Sequence, residues 1–342
     1  MISIRPALFV TVVMALAVGC ASKTPTNQAV TQTKGLPSLV ADSPIALEGA
    51  PGKFDFMEFD PATNRILAAH PGTASLTLID LNKPASAPKS ATVADIQGVA
   101  VDPKTKTYIL GADGGKAIYF LDSETLKSKG SIKVTGPVDA IAFDPKNGFA
   151  YADEDDGSHV WVVNVKTRKL VKTIKISGVP EVIVYDPVSD RLYQNLKTKD
   201  AIAVIDPAKN KVIAEWSTLP ATGPHGLAID SQRGRLYSAG HNGKLVSIDI
   251  KTGAVNGQID IAPSPDQIAY DPKAQIVYSA SKGFISAVRA TDGGFEGLSE
   301  TPSHSGSHTL AVDLGTGSIW VSYSDDKASF VQKFSPTPGA VR

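Results

Sequence analysis

Residues 223–261 read Gly-Pro-His-Gly-Leu-Ala-Ile-Asp, Ser-Gln-Arg-Gly-Arg-Leu-Tyr-Ser-Ala-Gly, His-Asn-Gly-Lys-Leu-Val-Ser-Ile-Asp-Ile, Lys-Thr-Gly-Ala-Val-Asn-Gly-Gln-Ile-Asp-Ile. Four short apolar runs alternate with turn residues, which predicts one four-stranded antiparallel unit, strands A to D. Working outward, the aspartate that ends the first run recurs along the chain, at Asp60, Asp102, Asp144, Asp186, Asp230, Asp271 and Asp313. The spacings are 42, 42, 42, 44, 41 and 42 residues. Proline follows five of the seven, at Pro61, Pro103, Pro145, Pro187 and Pro272. A fixed period of this length with Gly/Pro punctuation predicts an all-β, seven-bladed β-propeller of four-stranded blades. The seven repeats fill residues 44–336, so 342 residues make one closed domain rather than the two that length alone suggests.

Counting back from each aspartate exposes the blade's inner strand. Three residues before it stand Met57, Val99, Ile141, Ile183, Leu227, Ile268 and Leu310, all large. Two before it stand Glu58, Ala100, Ala142, Val184, Ala228, Ala269 and Ala311, mostly small. Side chains alternate across a strand, so one face is bulky and the other suits a crowded centre. Glu58 breaks the pattern and reads as a local irregularity of blade one. The last repeat holds three strands, and residues 44–49 are expected to supply its fourth and remove the exposed edge.

The pattern of strand A ending in Asp-Pro, then Arg-Leu-Tyr at 191–193 and 235–237, then Ile-Asp, resembles the YVTN β-propeller repeat of the YncE-like family. The resemblance covers nearly all of 44–336. It implies a WD40-like propeller fold; its functions range over surface proteins, binding modules and relatives of haem-binding domains. No C-x-x-C-H haem motif is present.

The N-terminus carries a different signal. Arg5 precedes an apolar stretch, Ala7 to Val18, that is too short to span a bilayer. It ends Leu16-Ala-Val-Gly-Cys20, which resembles a bacterial lipobox with Ala17 in the place usually held by leucine. Cys20 is the single cysteine, so it forms no internal disulfide. The resemblance implies a signal peptide over 1–19, a lipidated Cys20, a Thr-rich tether over 20–43 and a short tail over 337–342. With Ala21 after the cysteine, it further implies a lipoprotein on the periplasmic side of the outer membrane. A plain secretory signal is the alternative. Lys plus Arg and Asp plus Glu number 34 each, so no basic field favours nucleic acid.

Five residues before each aspartate stand Asp55, Gln97, Asp139, Glu181, His225, Asp266 and His308. All are polar within apolar segments, and the repeat predicts that they ring one mouth of the central channel. The B–C loops open on the same side with His70, Asp113, Asp153 to Asp156, Asn195, His241, Asp325 and Asp326. His70, His159 and His304 read as surface residues, and 153–156 as a solvated acidic loop without EF-hand order. The ring has three readings: solvent lining, a ligand site, or a metal centre. His225, Asp266, His308 and Asp55, on consecutive blades, suit a divalent ion such as Zn, Mn or Ca and lactonase-like hydrolase or lyase chemistry. No G-x-S-x-G, Walker or H-E-x-x-H motif appears. The sequence therefore supports a monomeric binding or scaffold module for a protein, peptide or small ligand, with the metal-dependent enzyme as alternative.

Overall fold

The computed structural model describes residues 36–84 and 86–337, besides Met1. The signal segment, Cys20 and the start of the tether lie outside the described residues. The described residues fold into seven antiparallel sheets, six of four strands and one of five. Strands A of blades one to seven span Met57–Asp60, Ile96–Asp102, Val138–Asp144, Pro180–Asp186, Pro224–Asp230, Ile268–Asp271 and Thr309–Asp313. Each touches strand A of the next blade, and that of blade seven touches that of blade one. The core is accordingly divided into seven apolar clusters, one between each pair of neighbouring blades. The bulky residues three before each aspartate are buried in these seams. Each such side chain contributes about 1.5–3 kcal/mol by leaving water.

The periodic aspartates prove to be turn-builders. All seven are at most 5% exposed. Asp60 Oδ1 accepts from the N–H of Ala62 at 2.9 Å and of Thr63 at 3.3 Å. Asp102, Asp144, Asp186 and Asp271 accept from the N–H groups two and three residues on in the same way. Four residues after each aspartate the backbone is left-handed, with φ of 53, 52, 74, 54, 62, 59 and 75° at Asn64, Lys106, Gly148, Asp190, Gly234, Gln275 and Gly317. A tight four-residue turn whose last residue is left-handed is a standard hairpin connection, and the carboxylate satisfies amides that the turn would leave unpaired. The aspartates thus stand at the A–B turns, at the channel end opposite the predicted ring.

The last blade differs from expectation in detail. Its strand Ser329–Pro336 pairs with two N-terminal segments. Ile45 and Ala46 face Val331 and Phe330, and Leu39–Ala41 face Pro336–Phe334. The outer strand is therefore interrupted and starts at Leu39, inside the stretch read from sequence as tether, rather than running through 44–49. Leu39 is buried there and anchors the extension in the seam of blades six and seven.

Candidate binding site at the mouth of the channel

Each strand A enters the channel at the residue five before its aspartate, so the repeat carries seven side chains to one rim. Six of them, Asp55, Gln97, Asp139, Glu181, His225 and Asp266, line a single cavity of about 270 Å³. The loops add Lys53, Asp113 and Asp155. His308 stands beside this cavity: its Nδ1 is 2.6 Å from Asp266 Oδ2, close enough for an ion pair but too far off line for a hydrogen bond.

The cavity has a floor. One residue deeper on each strand, Phe56 packs against the seam of blades one and two and also against that of blades four and five, so its ring reaches across the channel. Gln267 completes the closure. Its Nε2 donates to Met57 O at 2.7 Å and its Oε1 accepts from Met57 N–H at 3.1 Å. Phe56, Val182 and Gln267 line this cavity and also a hollow below it, so they form a waist.

The upper cavity is acidic and only partly neutralised. Lys53 Nζ holds Asp55 Oδ1 at 2.8 Å, and Gln97, with its amide oriented to donate, reaches both Asp55 oxygens at 3.0 and 3.1 Å. Lys197 Nζ lies 2.7 Å from Glu181 Oε1 and 3.2 Å from Asp156 Oδ1. His225 Nδ1–H donates to Gly223 O at 2.8 Å, which leaves Nε2 facing Glu181 Oε1 at 3.5 Å. The side chains of Asp113, Asp139 and Asp155 make no hydrogen bond or ion pair among the described residues. Behind Asp139 lies Asp153, fully buried. Its Oδ2 accepts from Gln194 Nε2 at 2.8 Å, whereas Oδ1 is without a well-formed hydrogen bond. Gln194 also donates to Glu181 O.

Burial and then neighbouring negative charge hold two carboxyls well above the usual carboxylate range: Asp139, with Asp153 next to it, and Asp153, with Glu181 near it. Burial also lifts Glu181, although His225 and Lys197 pull the other way. For Asp266 the balance reverses. Burial would raise it, but His308, His225 and Lys53 outweigh that and hold it below its ordinary value. A desolvated pocket with more carboxylates than cations favours a positively charged guest.

Each of the four residues considered as a metal set has a protein partner in this structure. Asp55 is engaged by Lys53 and Gln97, His225 by Gly223 and Glu181, and His308 by Asp266. Among the described residues no group of three or more His, Cys, Asp or Glu is arranged to hold a metal ion. The acidic stretch 153–156 is likewise no uniform solvated loop. Asp153 is buried, Glu154 Oε2 pairs with His159 Nδ1 at 2.6 Å, Asp155 faces the cavity and Asp156 is exposed. His70, read as a surface residue, is 1% exposed; it stacks on Phe54 and bonds Ser329 Oγ at 3.0 Å. His241 contacts His225, with ring centroids 5.2 Å apart.

Sequence reasoning missed Lys53, Gln194, Lys197 and Gln267. Counting forward four residues from the strand-B tyrosines, Tyr151, Tyr193 and Tyr237, reaches Asp155, Lys197 and His241. That count would have found Lys197. Nothing in the repeat marks Gln267, whose neighbours in register are mostly small.

No protein-family model and no curated protein matches the chain. Among solved structures it is similar to Kuenenia stuttgartiensis hydrazine synthase, with 13% identity and a TM-score of 0.71, over 83% of this chain and 96% of that one. At that identity the likeness shows the seven-bladed fold alone. The fold is common, with 1783 matching chains, so it names no activity. No helix among the described residues is long and apolar enough to cross a membrane.

Proposed function

We propose that this protein is a binding module of the bacterial cell envelope, tethered by a lipidated Cys20, which takes a positively charged ligand into the upper mouth of its channel. The observation that carries the reading is the floored cavity with six carboxylates, Asp55, Asp113, Asp139, Asp155, Glu181 and Asp266, of which three have no partner. Propeller loops on a rigid ring suit ligand capture, and a guanidinium or ammonium group fits the unsatisfied acceptors. The lipobox-like Leu16 to Cys20 and the apolar stretch before it support export and anchoring, and the repeat pattern supports kinship with YncE-like propellers. Nothing in the arrangement favours the metal-dependent hydrolase or lyase alternative.

The test is equilibrium binding of a fluorescent tetra-arginine peptide to the full-length chain. Asp139→Asn with Asp155→Asn is expected to weaken binding at least about tenfold, because two charge-assisted contacts are lost. Equal binding of a tetra-glutamate peptide, or an unchanged affinity in the double variant, would refute the reading. For the anchor, replacement of Cys20 by Ser is expected to move the protein from the membrane to the soluble fraction; an unchanged distribution contradicts it.

A further inference from the structure

Below the waist the channel opens again toward the A–B turns. Two adjoining hollows of about 410 and 370 Å³ share Glu58, Phe59, Pro61, Ile141, Ile183 and Val184. The remaining lining is supplied mainly by apolar residues of the strands A, and Leu314, 37% exposed, stands at the edge. Space of this size, lined mainly by apolar side chains with one carboxyl that has no side-chain partner, has the composition of a small-molecule site.

That polar group is the irregularity of blade one. Where other blades place Ala or Val, Glu58 puts a carboxyl into the chamber. The Phe59 N–H lies near its carboxyl, and no side chain among the described residues pairs with it. Among the described residues no lysine, arginine or histidine lines either hollow. The other titratable groups facing the space are engaged elsewhere. Asp60 is held in its turn, Tyr185 OH donates to Asp190 Oδ1 at 3.0 Å, and Tyr270 OH donates to Asp230 Oδ2 at 2.6 Å. A carboxyl in apolar surroundings without a cation is costly unless a partner arrives.

We propose that this lower chamber is a second ligand site, distinct from the acidic mouth, for a small apolar primary amine whose ammonium pairs with Glu58. The alkyl or aryl body rests on the Phe59, Ile141, Ile183 and Val184 surface, and the ammonium donates to the Glu58 carboxylate. The waist of Phe56, Val182 and Gln267 separates this guest from anything held above. Burial, and to a lesser degree the Asp60 charge, push Glu58 up to about 8, so at pH 7 it is mostly protonated and must lose its proton when the ammonium binds. The proton passes to buffer, and roughly 0.9 proton is released per amine bound at pH 7.

Isothermal titration of hexylammonium into the full-length chain, in two buffers of different ionisation enthalpy, tests this. The expected result is one site, release of close to one proton at pH 7, and release falling toward zero at pH 9. Glu58→Gln is expected to weaken hexylammonium about tenfold or more while leaving hexanol unchanged. Three results would each overturn the proposal: hexanol binding as tightly as the amine, amine binding unaffected by Glu58→Gln, or no amine binding up to about 10 mM, the weak limit of useful affinity. Loss of amine binding in Asp139→Asn but not in Glu58→Gln would also overturn it, by moving the site to the upper mouth. Retained tetra-arginine binding by Glu58→Gln reports that the variant is folded and keeps the two sites separable.

Discussion

Glu58→Gln should stabilise the protein, and by an amount that grows with pH. The carboxyl is raised from 4.5 to about 8 by burial, opposed by the Phe59 N–H and reinforced by Asp60. A raised folded pKa means that the folded state holds the proton longer than the unfolded chain does. Stability is therefore unaffected below the unfolded value, falls as pH rises through the interval from 4.5 to about 8, and then levels off. Glu58 is only partly buried, so the interval of 3.5 units, at 1.36 kcal/mol each, sets upper bounds of about 5 kcal/mol above pH 8 and about 3 kcal/mol at pH 7. Glutamine keeps the shape and removes the ionisation. For a domain of this size about 1 kcal/mol corresponds to roughly 2 °C in Tm. The variant should match the wild type near pH 4 and exceed it increasingly above that, by at most roughly 6 °C at pH 7 and roughly 10 °C at pH 9. Thermal unfolding followed by circular dichroism at the three pH values is the assay. Parallel Tm profiles for the two proteins would refute the argument that Glu58 sits uncompensated in an apolar chamber.

Other outcomes follow from the same physics. Asp60→Ala should cost about 2–4 kcal/mol, because Asp60 accepts from Ala62, Thr63 and, across the blade seam, Tyr108 OH at 3.0 Å. Tyr108→Phe should cost only about 1 kcal/mol, and denaturant melts of the two variants and their combination would reveal coupling between them. Asp153→Asn should raise stability at pH 8 relative to pH 5, since its carboxyl is held well above the usual range and stability is lost as pH rises through it; urea midpoints at both pH values check this. Tetra-arginine affinity should rise with pH over the range in which Asp139 gives up its proton, and should fall steeply with added salt, as anisotropy titrations would show.

The fold was legible because its signals repeat. An aspartate at every A–B turn, a large residue three before it and a small one two before it were enough to place seven blades and the channel, since turn chemistry and strand alternation act locally. The ring five residues before each aspartate was legible for the same reason, and six of its seven side chains line one cavity. Pairing inside the ring was not. It depends on distances between blades that the repeat leaves open, so the meetings of Asp55 with Lys53 and of His308 with Asp266 are set by three-dimensional packing. Burial of individual polar residues was illegible as well. Nothing local distinguishes Asp153, which turns inward beneath Gln194, from exposed Asp156 three residues later. Likewise His70 lies under Phe54 because the chain before blade one folds back over it, a contact made outside the repeat. Glu58, an irregularity in the small-residue column, places a carboxyl with no side-chain partner in the lower chamber.

The acidic mouth, with its partnerless carboxyl groups, is proposed to receive a cation. The most direct measurement follows the side-chain carboxyl resonances of 13C-labelled aspartate as tetra-arginine is added to the full-length chain. Asp139, Asp113 and Asp155 are expected to shift together, saturably and at one stoichiometry. Shifts confined to aspartates outside the mouth, such as Asp42 or Asp260, with those three unmoved, would contradict it.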